Sequence, residues 1–203
     1  MKIYESRTAP NPRRVRMFLA EKGITDIEFI QLDLAGGDNL KPEYLARNPF
    51  GKVPWLELED GTCISETVAI CRYFEEMFPE PALMGDTPLQ KAQIEMWQRQ
   101  CEIYFMNQVG MCFQHTTGYF KDRMTPVKEY GVEAGKNAAK FMSRIDAHLA
   151  DNVYVAGESF SIADVTLLCA VDFARVVQLR ITDEHPNLRR WHELVSARAS
   201  AQA

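Results

Sequence analysis

One dipeptide constrains this chain more than any other feature. Asp60-Gly61 lies between Val53–Glu59 (VPWLELE), which alternates in character, and Thr62–Ser65. An Asp-Gly pair between such runs specifies a tight antiparallel hairpin. A helix must follow at once, because Val68, Cys71, Phe74 and Phe78 recur at helical spacing. Glu66 and Thr67 therefore open that helix at the end of a strand. Unpaired N–H groups and the macrodipole make a helix start an anion site. A Thr hydroxyl with these amides accepts a carboxylate and a Glu accepts an ammonium, so the pair can hold both halves of an amino-acid zwitterion. The plainer alternative, for any one of these residues, is an ordinary hairpin with a capped helix. Pro54 cannot donate to a sheet ladder and belongs at a strand start or edge. A cis Val53-Pro54 bond, which Pro permits at low cost, would turn the main chain of Val53 towards a ligand.

Taken in order, Lys2–Glu5 reads as a strand and residues 6–10 as a loop. Asn11 as N-cap and Pro12 at the first helical position start a helix that Gly23 stops. Its apolar face is Val15, Phe18 and Leu19, which leaves Arg13, Arg14 and Arg16 for the solvated face or a subunit contact. Residues 27–34 read as a second strand. Strand, helix, strand, then hairpin and helix is the thioredoxin-like order. The cluster PEPALMGDTP reads as a linker, giving residues 1–79 as an α/β thioredoxin-like domain, 80–88 as the linker and 89–203 as an all-α domain. Within the latter, Thr87-Pro88 and Thr125-Pro126 repeat the helix-start signal. Ser161-Ile-Ala-Asp164 has capping-box form, which makes Asp164 a structural acid rather than a catalytic one.

With 203 residues and a net charge of −5, the chain suits neither a nucleic-acid nor an anionic-membrane surface. No apolar run is long enough to span a bilayer and MKIYES has no apolar signal core, so a cytoplasmic location is expected. Five cysteines without a CxxC pair fit neither a disulfide framework nor a zinc site, and no metal is expected.

Asn48, Pro49, Gly51, Lys52, Val53, Pro54 and Leu56, then Asp60, Gly61, Ile64, Glu66, Thr67, Ala69, Ile70 and Tyr73, together resemble the glutathione-binding half of the cytosolic glutathione transferases. The later Gly157, Phe160, Ser161, Ala163 and Asp164 match the same family's helical half. Tyr4, Pro10, Asn11, Arg14, Val15 and Arg16 are similar to its yeast-type and related bacterial branch, although Val153 stands where that branch has Pro. The resemblance implies glutathione as co-substrate, a homodimer and a small apolar electrophile. It assigns the cysteinyl part of glutathione to the main chain of Val53 beside Pro54, the γ-glutamyl end to Glu66 and Thr67, and the glycine end to Asn39 and Lys52.

Such enzymes stabilise the glutathione thiolate, since an ordinary thiol is only about 3% ionised at pH 7. The loop from Ser6 to Pro12 holds no Cys, and Tyr4 matches a framework position, which leaves Ser6, Thr8 and Asn11 as donors. Asn11 with the first helix's N-terminus is the expected pair. If Asn11 only caps its helix, Ser6 or Thr8 takes the role. His115, reaching the sulfur directly or through water, is a further candidate. A non-catalytic ligand carrier and another glutathione-dependent enzyme, such as an isomerase, dehalogenase or disulfide reductase, remain the alternatives.

Overall fold

The computed structural model describes residues 1–203, which divide into two compact units. Unit 1 comprises residues 1–83 with 199–203, and unit 2 comprises residues 84–198. The last five residues, assigned from sequence to the helical domain, thus group with unit 1.

In unit 1 the strands β1 (Lys2–Glu5), β2 (Glu28–Gln31), β3 (Trp55–Glu57) and β4 (Cys63–Ser65) form a mixed sheet in the order β2-β1-β3-β4. β1 and β2 are parallel, with α1 (Pro10–Glu21) as their crossover; β3 pairs antiparallel with both β1 and β4. A turn of 3-10 helix (Asp38–Leu40) and the short α2 (Pro42–Leu45) link β2 to β3, and α3 (Thr67–Met77) follows β4. β2 and β3 are shorter than the runs 27–34 and 53–59 suggest, although beyond β3 the Leu58 N–H still donates to the Thr62 carbonyl at 2.9 Å. Phe78 falls outside α3 and is exposed.

The pleat sends Ile3 and Leu56 to one face of the sheet and Tyr4 and Trp55 to the other. Ile3 and Leu56 are buried on the side of α1 and α3, along with Val15, Phe18, Ile70 and Phe74. Tyr4 and Trp55 stack across the ladder at 4.6 Å, with Tyr44 of α2 edge-on to Tyr4 at 5.8 Å. Burial and a hydrogen bond to the Glu57 carboxylate push the Tyr4 phenol up to about 12. It is a framework side chain that stays protonated.

Two arginines of α1 lie elsewhere than the periodicity suggests. Arg14 is 2% exposed and Arg16 is 8% exposed, so neither belongs to a solvated face. The reason is pairing: Arg16 meets the Glu5 carboxylate of β1 at 2.5 Å, and Arg14 donates to Asn11 Oδ1 at 3.1 Å. Lys22, at the end of α1, is likewise buried. It pairs with Glu75 and donates to the carbonyls of Phe78, Pro79 and Pro81, which ties α1 to the end of α3. Gly23 takes φ +67, the left-handed conformation expected just past a helix end.

Unit 2 is all helical: α4 (Pro88–Cys101), a π-helical segment (Glu102–Met106), α5 (Asn107–Thr116), α6 (Lys128–Leu149), α7 (Ile162–Ala174) and α8 (Pro186–Ser196). Thr87 forms a complete capping box with Gln90. The Thr125-Pro126 signal does not start α6, whose N-cap is Val127. α7 is buried almost all round and forms the centre of the unit. Ser161 caps it, and Asp164 accepts from Val155 N–H at 2.9 Å, Ser161 N–H at 3.0 Å, Ser161 Oγ at 3.1 Å and Trp191 Nε1 at 2.8 Å. No helix of the chain is long and apolar enough to cross a membrane.

Candidate active site

The strand register collects the predicted residues at one end of the sheet. Trp55, which opens β3, pairs with Ser65, which closes β4, so Val53 and Pro54 enter the ladder at the end where Glu66 and Thr67 leave it. Tyr4 pairs with Trp55, so Glu5 and Ser6 follow at the same end. Ser6, Val53, Pro54, Glu66 and Thr67 therefore share the edge where β1 and β4 end and β3 begins. The Val53-Pro54 bond is cis.

Glu66 is the N-cap of α3 and has φ 71 and ψ 123, a conformation a non-glycine residue adopts only when its surroundings impose it. Its side chain makes no capping hydrogen bond and is exposed, while the neighbouring Thr67 is buried. The chain thus holds an acid at a strained corner with its carboxylate uncommitted. Strain of this kind gathers at ligand sites.

Two asparagines peg the loop that carries Lys52. Asn39 donates its amide to the carbonyl of Gly51 at 2.6 Å, and Asn48 donates to the carbonyl of Lys52 at 2.6 Å. Asn39 is buried and holds the carbonyl of Gly51, next to Lys52, whose own side chain is exposed. Gly51 has φ +56, and a Cβ there would come within 2.9 Å of Leu40, which explains why glycine occupies the turn. Asn48 belongs to the sequence motif, but its role as a peg is visible only in the fold.

Asn11 is not the N-cap of α1. The helix starts at Pro10 with Ala9 as N-cap, which makes Asn11 the second helical residue. With prolines at positions 10 and 12, Asn11 is the sole residue of the first three with an N–H group. Its Oδ1 is taken by Arg14, which leaves Nδ2 facing away as a donor. Asn11 thus offers a main-chain and a side-chain donor on an exposed residue. Ser6 and Thr8 lie in the preceding loop, where the Ala9 N–H donates to the Ser6 carbonyl at 2.9 Å.

His115 belongs to unit 2, near the end of α5. The Val127 N–H donates to its Nδ1 at 2.9 Å, so the neutral ring carries its proton on Nε2. Gly131 and Gly135 of α6 let α5 approach closely. A Cβ on Gly131 would lie 2.8 Å from His115 Cβ and 2.8 Å from Thr116 Cγ2. Beside this helix end, Phe113 packs against Tyr119 at 5.3 Å and Phe173 at 5.4 Å.

The comparisons with known proteins agree with this geometry. A family model described as "Glutathione S-transferase, N-terminal domain" matches residues 8–77, and one described as "Glutathione S-transferase, C-terminal domain" matches residues 108–199. The chain is 37% identical to glutathione S-transferase 2 of Saccharomyces cerevisiae over 205 residues, covering 100% of this chain and 88% of that protein. It is 30% identical to glutathione S-transferase 3 of Zea mays over 210 residues, covering 100% and 91%. The crystal structure of Gtt2 from Saccharomyces cerevisiae superposes with a TM-score of 0.96 at 37% identity, covering 100% of this chain and 99% of that one. A glutathione S-transferase domain-containing protein of Marinobacter aquaeolei superposes with a TM-score of 0.95 at 36% identity, covering 98% and 99%. With both domain models matched in order, relatives aligned over the full length and the strained acid standing at the head of α3, the chain belongs to the glutathione S-transferase family.

Proposed function

We propose that the protein binds glutathione at the strand ends of unit 1, stabilises its thiolate and adds it to a small apolar electrophile, or uses it to reduce a hydroperoxide. The observation that carries this reading is Glu66, held at φ 71 beside Thr67 with its carboxylate uncommitted. Glu66 accepts the γ-glutamyl ammonium and Thr67 with the α3 amides accepts the carboxylate. The main chain of Val53 pairs with the cysteinyl part; Lys52, set by Asn39, takes the glycine carboxylate.

Thiol activation in this reading is electrostatic and needs no general base. A charge-assisted hydrogen bond contributes about 1.5–3 kcal/mol and a helix N-terminus about 0.3–1 kcal/mol, together about one to three pKa units for a bound thiol. Asn11 supplies both donors of α1, because its proline neighbours supply none. Ser6 and Thr8 are the other donors of this loop, and His115 is the further candidate that the sequence offers.

The protein acts in this reading as a cytoplasmic homodimer that detoxifies electrophiles. Its five cysteines are all free, as a reducing compartment keeps them. Leu89, Met96 and Ile103 recur every seven residues along α4 and its π-helical continuation and are all exposed, the pattern of a helix face awaiting a partner.

The test is a pH titration of thiolate absorbance for bound glutathione in the parent and in Asn11→Ala, Ser6→Ala, Thr8→Ala and His115→Ala, with turnover measured on an aryl halide, a hydroperoxide, an epoxide and a mixed disulfide. A rise of about one unit or more in the Asn11 variant, with turnover on the halide or the hydroperoxide in the parent, is expected. Glutathione binding without turnover of any substrate would favour a ligand carrier, and turnover confined to the mixed disulfide would favour a reductase.

A further inference from the structure

Four residues converge on the loop after β1 without touching the predicted ligand positions. Glu5 is 1% exposed, and each of its carboxylate oxygens has its own partner. Oε2 meets Arg16 Nη1 of α1 at 2.5 Å, and Oε1 accepts from Gln31 Nε2 of β2 at 2.6 Å. Both partners then reach on to Arg7. Arg16 Nη2 donates to the Arg7 carbonyl at 2.9 Å, and the Arg7 N–H donates to Gln31 Oε1 at 3.0 Å. A carboxylate removed from water is stable only with strong donors on both oxygens, so Glu5 fixes the guanidinium and the amide in single orientations. Through them both peptide groups of Arg7 are tied to β1, β2 and α1.

The consequence falls on Thr8. The Arg7–Thr8 peptide is trans, the cis bonds being those before Pro54 and Pro81. In a trans peptide the carbonyl and the following N–H point in opposite directions. With the Arg7 carbonyl turned onto Arg16, the Thr8 N–H is turned away from it, on an exposed residue that gives it no internal acceptor. A donor fixed in advance stabilises developing negative charge without having to reorganise.

We propose that Gln31 and Arg16, anchored on Glu5, are positioning residues for thiol activation, holding the Arg7–Thr8 peptide so that the Thr8 N–H is set as a donor to the glutathione thiolate. The inference rests on the proposed function and assigns to this loop a main-chain donor besides its side chains. Gln31 is the better probe. It is exposed at the end of β2, so its replacement opens no core, whereas Arg16 is buried and its loss strands Glu5.

The experiment uses Gln31→Leu, which removes both bonds, and Gln31→Glu, which keeps the acceptor for Arg7 but sets a carboxylate against Glu5. Amide hydrogen exchange of residues 7–9 is followed in the free proteins. The bound-thiol pKa is read by thiolate absorbance, and affinity for S-methylglutathione, which has no thiol to ionise, by calorimetry. Expected are exchange at Arg7, the amide held by Gln31, faster by about tenfold or more in Gln31→Leu and by less in Gln31→Glu, and for both variants a bound-thiol pKa higher by about half to one unit and S-methylglutathione affinity within about twofold of the parent. Unchanged exchange overturns the clamp. Faster exchange with an unchanged thiol pKa overturns its role in activation. So does a loss of S-methylglutathione affinity that accounts for the whole effect, as a merely structural role would give. A parent protein that binds neither thiol nor thioether overturns the proposed function and this inference with it, while the exchange data still report separately on the clamp.

Discussion

Asn48 donates its side-chain amide to the carbonyl of Lys52 at 2.6 Å, four residues further along the chain. With Asn39 holding the Gly51 carbonyl from the other side, the turn leading into Val53 and Pro54 is fixed by two amides, each of which leaves its own oxygen buried without a partner.

Replacing Asn48 with Ala should therefore act on ligand binding as well as on stability. We expect a loss of about 1–2 kcal/mol in unfolding free energy from the broken hydrogen bond and a glutathione affinity weaker by about three- to tenfold as Lys52 and Val53 loosen. Denaturant unfolding and calorimetry on the same protein check both. Full affinity in a destabilised variant would show that the peg serves the fold alone.

Glu66 separates stability from function. Its φ of 71 costs about 1–3 kcal/mol for a non-glycine residue, and glycine would relieve that at an unfolded-state entropy cost of about 0.5–1 kcal/mol. Glu66→Gly should be about 1 kcal/mol more stable than the parent. Both Glu66→Gly and Glu66→Ala should lose glutathione affinity about tenfold to more than a hundredfold, since the ammonium loses its charged partner. Calorimetry showing parent-like affinity in either variant would remove the γ-glutamyl assignment.

Asp164 predicts a pH dependence of stability. Burial pushes its carboxyl up to about 6 from the ordinary 3.8, against the pull of Val155, Trp191 and Ser161. The folded state then holds the proton more tightly than the unfolded state. The contribution is fully present below about pH 4 and is lost as pH rises through about 6, a fall of about 3 kcal/mol. Asp164→Asn lacks this titration and should be less stable at every pH, because an NH2 replaces one accepting oxygen among four donors. The difference between the two unfolding free energies, measured from pH 4 to 7, should therefore shrink as pH rises. A constant difference would show that Asp164 does not titrate in this range.

Gly131→Ala tests the seat of His115. The added methyl meets His115 Cβ and Thr116 Cγ2 at 2.8 Å, closer than real carbon contacts allow, so α5 must shift from α6. Overpacking of this kind costs about 1–3 kcal/mol. The shift should also lengthen the bond from Val127 N–H to His115 Nδ1, visible as a changed imidazole nitrogen shift in NMR spectra. Parent-like stability together with an unchanged imidazole signal would mean that the helices yield without moving the ring.

The sequence by itself determined the order of elements and the place of Glu66 and Thr67 at a helix start. Asp60-Gly61 set the hairpin, the helical spacing after Thr67 set α3, and together they put Glu66 and Thr67 at a helix start, because turn chemistry and side-chain periodicity act over a few neighbouring residues. Capping at Thr87 and Ser161 was legible for the same reason. Tertiary structure decided what depended on partners far along the chain. Arg16 has the periodicity of a surface residue, yet Glu5 draws it inside. Asn11 has the signature of an N-cap, yet the helix starts earlier at Pro10, whose fixed φ suits a first helical position as well as Pro12 does. Gln31 carries no local signal, since its role exists only where β1, β2 and α1 are brought together. Local patterns fix where a helix or turn can form; which polar side chains are buried is settled by desolvation, and only the folded chain supplies the donors and acceptors that make burial tolerable.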